Sequence, residues 1–246
     1  MRRTSSTIDP GEIACFAGQG EDWWDSEGSF RTLHRVNPVR LGFIRQHLAA
    51  HFCRDRSSLR PFDGLTLLDI GCGGGLVAEP MARLGFAVTG IDASTEAVDA
   101  ARTHAEAMGL AIDYRVTAAE SFAAAGRSFD TVLALEVIEH VADPADFFAA
   151  VSALVRPGGA FIGATLNRTP RSFALAILGA EYILRWLPPG THHWRKFLRP
   201  SEFVLGMRRN GFVVTQLAGL TYDPQRAVWS LSPDLQVNYL VVAVRR

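Results

Sequence analysis

A chain of 246 residues can bury a full core, and its length suits one α/β domain with terminal additions. Lys plus Arg and Asp plus Glu each number 25, so the overall charge offers no footing for nucleic acid, and 48% hydrophobic residues fit a globular protein. The three cysteines, Cys15, Cys53 and Cys72, have neither C-x-x-C spacing nor an even count; this argues against a disulfide framework or a zinc site and makes a reducing cytoplasm the expected compartment. The opening residues hold no apolar run long enough for a signal peptide. No segment reaches the roughly 18 uninterrupted apolar residues of a membrane span, so the chain is not expected to cross a membrane.

In chain order, residues 1–60 carry Trp23-Trp24 and LHRVNPVRLGFI and are expected to form a helical cover over the ligand end of a sheet, with the main domain following over 61–246. Leu65 to Gly75, LTLLDIGCGGG, reads as an apolar strand that carries an acid near its end and runs into a glycine-rich turn. Residues 76–84 have helical spacing and stop at Gly85, and the run from Ala87 to Ile91 closes on Asp92, which completes a βαβ unit. A helix over 94–108, capped by Ser94 and followed by Gly109, leads to strands at 112–116, 129–135 and 160–166. Between the last two, Pro144 to Val155 fits a helix and Arg156 to Gly159 a tight turn. The runs 212–217 and 237–244 lack a long helix between them and pair as an antiparallel hairpin at a sheet edge. The predicted fold is α/β: a doubly wound, seven-stranded, mostly parallel sheet with that edge hairpin, the N-terminal helical cover and a helical insertion at about 168–200.

The glycine register is G-x-G-x-G, at Gly71, Gly73 and Gly75, with Leu76 where the dinucleotide fingerprint needs its last glycine. Asp69, two residues before the first glycine, would repel a pyrophosphate. It suits a ligand with an ammonium or sulfonium group and no phosphate, which points to S-adenosylmethionine. Asp92 ends the second strand 23 residues after Asp69, where an acid accepts hydrogen bonds from ribose hydroxyls. Asp69 itself is expected to fix the turn or to meet the ligand's ammonium through water. After the third strand, Ala118 stands where many methyltransferases of this fold carry an acid for the adenine amino group, so backbone groups near Ala119 or the Glu120 carboxylate would have to serve. Cys72 is accounted for as a small residue inside the turn.

The fourth strand ends in Leu135-Glu136-Val137-Ile138-Glu139-His140. Glu136, Glu139 and His140 stand at i, i+3 and i+4 and share one face if the backbone turns helical. Such a trio could bind a divalent cation such as magnesium or place a general base, with His140 and Glu136 the candidate catalytic residues. The alternative is that Glu136 contacts the ligand turn while the other two are structural. Within the insertion, Phe173 to Leu187 is a mostly apolar segment closed by Pro188-Pro189-Gly190. It reads as a lid over a greasy acceptor, as a segment lying in the membrane interface helped by the surrounding arginines, or as an ordinary buried helix.

Several motifs together resemble the ubiquinone-biosynthesis O-methyltransferases, class I enzymes of this fold that make both O-methylations of the ubiquinone head group. The resemblance covers nearly the whole chain. It is carried by Trp23-Trp24-Asp25, by the segment from Leu33 to Arg40, by Leu68 to Gly75, by Thr165 to Arg168, by Gly179 to Leu184, by Gly190-Thr191-His192 and by Val237-Asn238-Tyr239. It implies that Arg40 meets the methionine carboxylate of S-adenosylmethionine, that Gly71 and Asp92 also contact that cofactor, and that Leu135 lines the adenine side. Asp69 and Gly73 complete the expected cofactor set. It further implies that Glu136, Glu139 and His140 hold a divalent cation, and that the substrate is a polyprenylated phenol or quinol. The expected location is the inner face of the cytoplasmic membrane, held peripherally through the insertion and near other ubiquinone-biosynthesis proteins. His193 stands where the family often has an acid, so no acidic role carries over there. Two other readings are weighed: the same cofactor with another hydrophobic acceptor, and a non-catalytic lipid- or complex-binding module. A nicotinamide-dependent dehydrogenase fits the glycine register and Asp69 less well.

Overall fold

The computed structural model describes residues 20–175, 177 and 193–246. After a 3-10 turn at Gly20–Trp24, the elements are α1 (Arg31–His51), β1 (Thr66–Ile70), α2 (Ala78–Arg83), β2 (Ala87–Asp92), α3 (Thr95–Ala107), β3 (Asp113–Val116), α4 (Ala119–Ala124) and β4 (Phe129–Leu135). They continue with a 3-10 turn at Ile138–His140, α5 (Pro144–Leu154), β5 (Val155–Leu166), α6 (Pro200–Arg209), β6 (Phe212–Asp223), β7 (Val228–Ser232) and β8 (Asn238–Arg245). The helix expected over Phe173–Leu187 falls, beyond its first residues, outside the described residues, as does Cys15.

The sheet order is β3-β2-β1-β4-β5-β8-β6-β7, with the first five strands parallel and β8 antiparallel to both of its neighbours. The expected doubly wound architecture is present, with eight strands. Val228–Ser232 adds a short, mostly exposed edge strand to β6, and the late runs expected to form the edge instead place β8 inside the sheet. The turn expected at Arg156–Gly159 is a bulge within β5: Phe129 pairs with Val155 and Thr131 with Ala160, so the intervening residues loop out of register.

β1 and β4 are buried on both faces, and their apolar runs are what a central parallel strand requires. Successive residues of β1 feed opposite cores. Leu67 packs with α1 through Ile44 and Leu48, and with Met81 and Val98, whereas Leu68 packs with Val132, Phe147, Val151 and Phe203. Helix α1 buries Val36, Arg40, Ile44 and Leu48 at a four-residue step, so the N-terminal helix shares the core of α2 and α3. Ser94 caps α3, its hydroxyl accepting from the Ala97 amide at 3.1 Å, and Asp143 caps α5, with Pro144 at the first helical position. Because the chain winds outward from β1 to β3 and then returns to β4, a crevice opens where the carboxyl ends of β1 and β4 part. Among the described residues, no helix is long and apolar enough to cross a membrane.

Candidate active site

The glycine turn begins at that crevice. Gly71, Gly73 and Gly75 have φ of 70°, 51° and 90°, a region an L side chain enters only with strain. The amides of Gly71 and Cys72 both donate to the Ile91 carbonyl, at 2.8 and 3.1 Å, which ties the turn to the end of β2. Glycine is also required by packing from within the chain. A Cβ on Gly71 would stand 2.5 Å from the Val137 side chain, and one on Gly73 or Gly74 would strike the Trp23 ring at 2.5 or 2.4 Å. The Cys72 thiol is buried inside the turn, and burial together with the Asp92 and Asp69 charges pushes its pKa well up, as suits an inert small residue.

Asp92 joins the two turns at the crevice. One carboxylate oxygen accepts from the Gly73 amide and the other from the Ser94 amide, both at 2.9 Å. Burial raises its pKa, against the lowering effect of backbone amides of Ser94, Gly73 and Ala93. Each oxygen keeps acceptor capacity for a further donor such as a ribose hydroxyl. Asp69 is 3% exposed, and its Oδ2 is buried with no hydrogen-bond partner. Burial first, and the Asp92 charge second, push its pKa up to about 7. A carboxyl held this way is short of a positive partner.

Arg40 reaches the same region from α1. It is 6% exposed, its Nη2 donates to Glu136 Oε1, and its Nε is buried with no partner. Leu135 ends β4, half-buried. Glu136 follows with φ of 55°, one of three non-glycine residues in the left-handed region among the described residues, and its amide donates to the Ala164 carbonyl at 2.9 Å. That conformation costs on the order of 1 to 2 kcal/mol. It aims the Glu136 carboxylate at Arg40 instead of continuing β4. The backbone then makes only a single 3-10 turn over Ile138–His140, so the helical face expected to unite Glu136, Glu139 and His140 does not form. Glu136 and Glu139 do meet. Glu139 is buried, accepts from the Thr165 hydroxyl at 2.9 Å, and has its pKa driven well up by burial and then by the Glu136 charge. His140 is half-buried at the end of the turn, and its amide donates to the Val137 carbonyl at 2.9 Å. Among the described residues, no group of three His, Cys, Asp or Glu side chains converges as a metal ligand set.

At Ala118 the side chain makes no cap to α4, and Glu120 is half-buried in that helix's first turn. Two motif pieces turn out to be clamps. Asn167 donates to the Leu235 carbonyl at 2.7 Å, and the Tyr239 hydroxyl to the Leu198 carbonyl at 2.9 Å, fixing the end of β5 and the chain beyond the insertion. His193 is exposed. The contacts that sequence reasoning missed lie at Gly73 and Gly74, against which Trp23 and Trp24 pack. Their doublet is visible in the sequence, but its partner lies 50 residues away and no local pattern announces it.

A family profile described as a methyltransferase domain matches residues 68–163. Nearly the whole chain is similar to proteins named ubiquinone biosynthesis O-methyltransferase. The one from Paramagnetospirillum magneticum is 53% identical over 239 residues, spanning 97% of this chain and 96% of the relative. The one from Parvibaculum lavamentivorans is 51% identical over 240 residues, spanning 98% and 95%. Among solved structures, magnesium protoporphyrin IX methyltransferase from Synechocystis with bound S-adenosylhomocysteine is similar at a TM-score of 0.60 and 19% identity, over 92% of this chain and 98% of that one. The [4+2]-cyclase SpnF is similar at 0.57 and 16%, over 82% and 80%. Structural likeness at these identities speaks for the fold alone, and a cyclase sharing it shows why.

Proposed function

This chain belongs to the ubiquinone biosynthesis O-methyltransferase family, and from that premise we propose that it transfers a methyl group from S-adenosylmethionine to a hydroxyl of polyprenylated catechol or hydroquinol intermediates, in both O-methylation steps of ubiquinone biosynthesis. The observation that carries the cofactor reading is the buried, unpartnered Oδ2 of Asp69 at the crevice between β1 and β4. A cationic ligand supplies what that carboxyl lacks. Around it the chain offers a complementary set: Asp69 for the ammonium, Arg40 with its unpaired Nε for the carboxylate, Asp92 for the ribose hydroxyls, Gly71 and Gly73 for close backbone approach, and Leu135 for the adenine side.

S-adenosylmethionine supplies a methyl group on a sulfonium, ready for in-line attack by an oxygen nucleophile. The chain's part is to align that oxygen and to take its proton, since a phenol of pKa about 10 is mostly neutral at pH 7. We assign proton acceptance to an imidazole nitrogen of His140. Glu136, held by Arg40, is the carboxylate we assign to stabilising positive charge at the cofactor end of β4. A magnesium ion on Glu136, Glu139 and His140 does not fit the donor set as placed: Arg40 already pairs with Glu136, Glu139 is buried and accepts from the Thr165 hydroxyl, and the trio does not converge.

The acceptor's prenyl chain motivates a peripheral location on the inner face of the cytoplasmic membrane, with the insertion at about 168–200 as the contact and other ubiquinone-biosynthesis proteins as neighbours. The apolar sequence from Phe173 to Leu187 supports that reading. Residues 1–60 we read as a separate N-terminal cover over the domain that follows. The deciding experiment is transfer of labelled methyl from S-adenosylmethionine to a short-chain prenylated demethylubiquinol, with and without a chelator. Transfer in both conditions is the expected result. Loss with the chelator would restore the metal, and no transfer to any prenylated catechol with cofactor binding intact would move the acceptor to another hydrophobic molecule.

A further inference from the structure

The glycine turn is gripped by a segment that the cofactor reading does not use. The Trp23 ring spans Gly73 and Gly74, stacks on Phe30 at 3.8 Å and 11°, and has its carbonyl bonded to His34 Nε2 at 2.9 Å. The neighbouring Trp24 donates its Nε1–H to the Gly74 carbonyl at 3.0 Å. Its ring lies on the His104 imidazole at 3.5 Å and 7°. His104 Nδ1 in turn meets the carboxylate of Glu79 at 2.7 Å, and Glu79 is 1% exposed at the start of α2. Asn37 adds a longer bond from its amide to the Leu76 carbonyl, at 3.4 Å.

We propose that Trp24, oriented by the His104–Glu79 pair, is a positioning residue for S-adenosylmethionine: it holds the Gly73–Gly75 backbone in its cofactor-accepting shape before the cofactor arrives. The physical argument starts from the turn itself. Four glycines among the five residues 71–75, three of them at positive φ, give this turn much conformational freedom to lose. The turn is fixed to β2 through the Ile91 carbonyl and Asp92. Those bonds leave the carbonyl of Gly74 unheld, and that is the atom Trp24 takes. Removing that grip returns freedom to the turn, and the cofactor must then order it on binding. His104 contributes through the stack and not through contact with the turn, so its effect is smaller than that of Trp24.

This inference rests on the cofactor reading above, and the test separates the two. Trp24→Phe keeps a stacking ring and removes the donor; His104→Gln removes the aromatic partner and keeps a polar side chain. The measurements are S-adenosylhomocysteine affinity by calorimetry, KM for S-adenosylmethionine and for the acceptor, and amide hydrogen exchange over residues 72–76. The expected result for Trp24→Phe is a three- to tenfold weaker affinity, the range of one lost hydrogen bond, with acceptor KM unchanged and faster exchange confined to the turn. His104→Gln gives the same pattern at smaller size. Unchanged affinity in Trp24→Phe overturns the proposal whatever happens to thermal stability, and so does an equal rise in both KM values, which marks general loosening. Absence of S-adenosylhomocysteine binding by the wild-type protein would instead refute the cofactor reading.

Discussion

Replacing Asp69 by Asn keeps the shape of a buried side chain and removes its titration, which isolates the contribution of a carboxyl at the end of β1 whose Oδ2 has no partner. With its pKa at about 7, Asp69 is ionised in about one molecule in ten at pH 6 and about nine in ten at pH 8. If the cofactor's ammonium selects the ionised form, affinity for S-adenosylhomocysteine rises about tenfold over that interval, or about 1.4 kcal/mol, and binding at pH 6 releases close to one proton. In Asp69→Asn the Asp69 part of the slope disappears, and affinity at pH 8 falls by roughly 1.5 to 3 kcal/mol, the range for a hydrogen bond to a charged group. Asp92, whose pKa is also raised, is a second source of slope that the variant leaves in place. Calorimetry at pH 6, 7 and 8, in two buffers of different ionisation enthalpy, reads affinity and proton release together. A flat wild-type affinity with no proton exchange, or a slope undiminished in Asp69→Asn, would refute the reasoning.

Folding stability runs the opposite way with pH. Asp69 and Glu139 have native pKa values above their unfolded ones, so the native state binds more protons in the window between; for Asp69 stability falls as pH rises from about 4 through about 7, and Glu139 adds to the fall above its unfolded value. Denaturant melts at pH 5 and 8 should show that fall in the wild type, and Glu139→Gln should reduce it; a wild type more stable at pH 8 contradicts the account. Asp92→Ala removes the acceptor for the Gly73 and Ser94 amides and should weaken cofactor affinity by about 1.5 to 3 kcal/mol, with a negligible change removing Asp92 from the site. Gly74→Ala drives a methyl into the Trp23 side chain at 2.4 Å and should cost about 1 to 3 kcal/mol in a thermal melt; a neutral substitution would mean that Trp23 does not pack there.

Local chemistry made much of the molecule legible in advance. The apolar runs of β1, β2, β4 and β5, the cap at Ser94, and the acids at the ends of β1 and β2 are short-range signals, and each stands where its pattern put it. Strand β7 was invisible because Val228–Ser232 is a mostly exposed edge whose only reason to be extended is β6 beside it. The bulge at the start of β5 hid for a related reason: Arg156 to Gly159 has turn chemistry, and only pairing with β4 on both sides makes it part of a strand. Helical spacing misled at Glu136 to His140, where a left-handed Glu136 breaks the face before it can form. The energy that holds it there comes from Arg40, 96 residues earlier.

The position of β8 also shapes how the molecule must assemble. Strands β1 to β5 can wind up in sequence, each returning through a nearby helix, but β5 and β6 have no bonds to each other and both wait for β8, the last of the eight strands in sequence, to slide between them. Until it does, the row from Ala160 to Leu166, all of it buried in the native state, presents an unpaired apolar edge. The slow step of folding therefore lies in a long-range strand insertion, and a partly folded species lacking β8 is the one a second chain could capture by pairing.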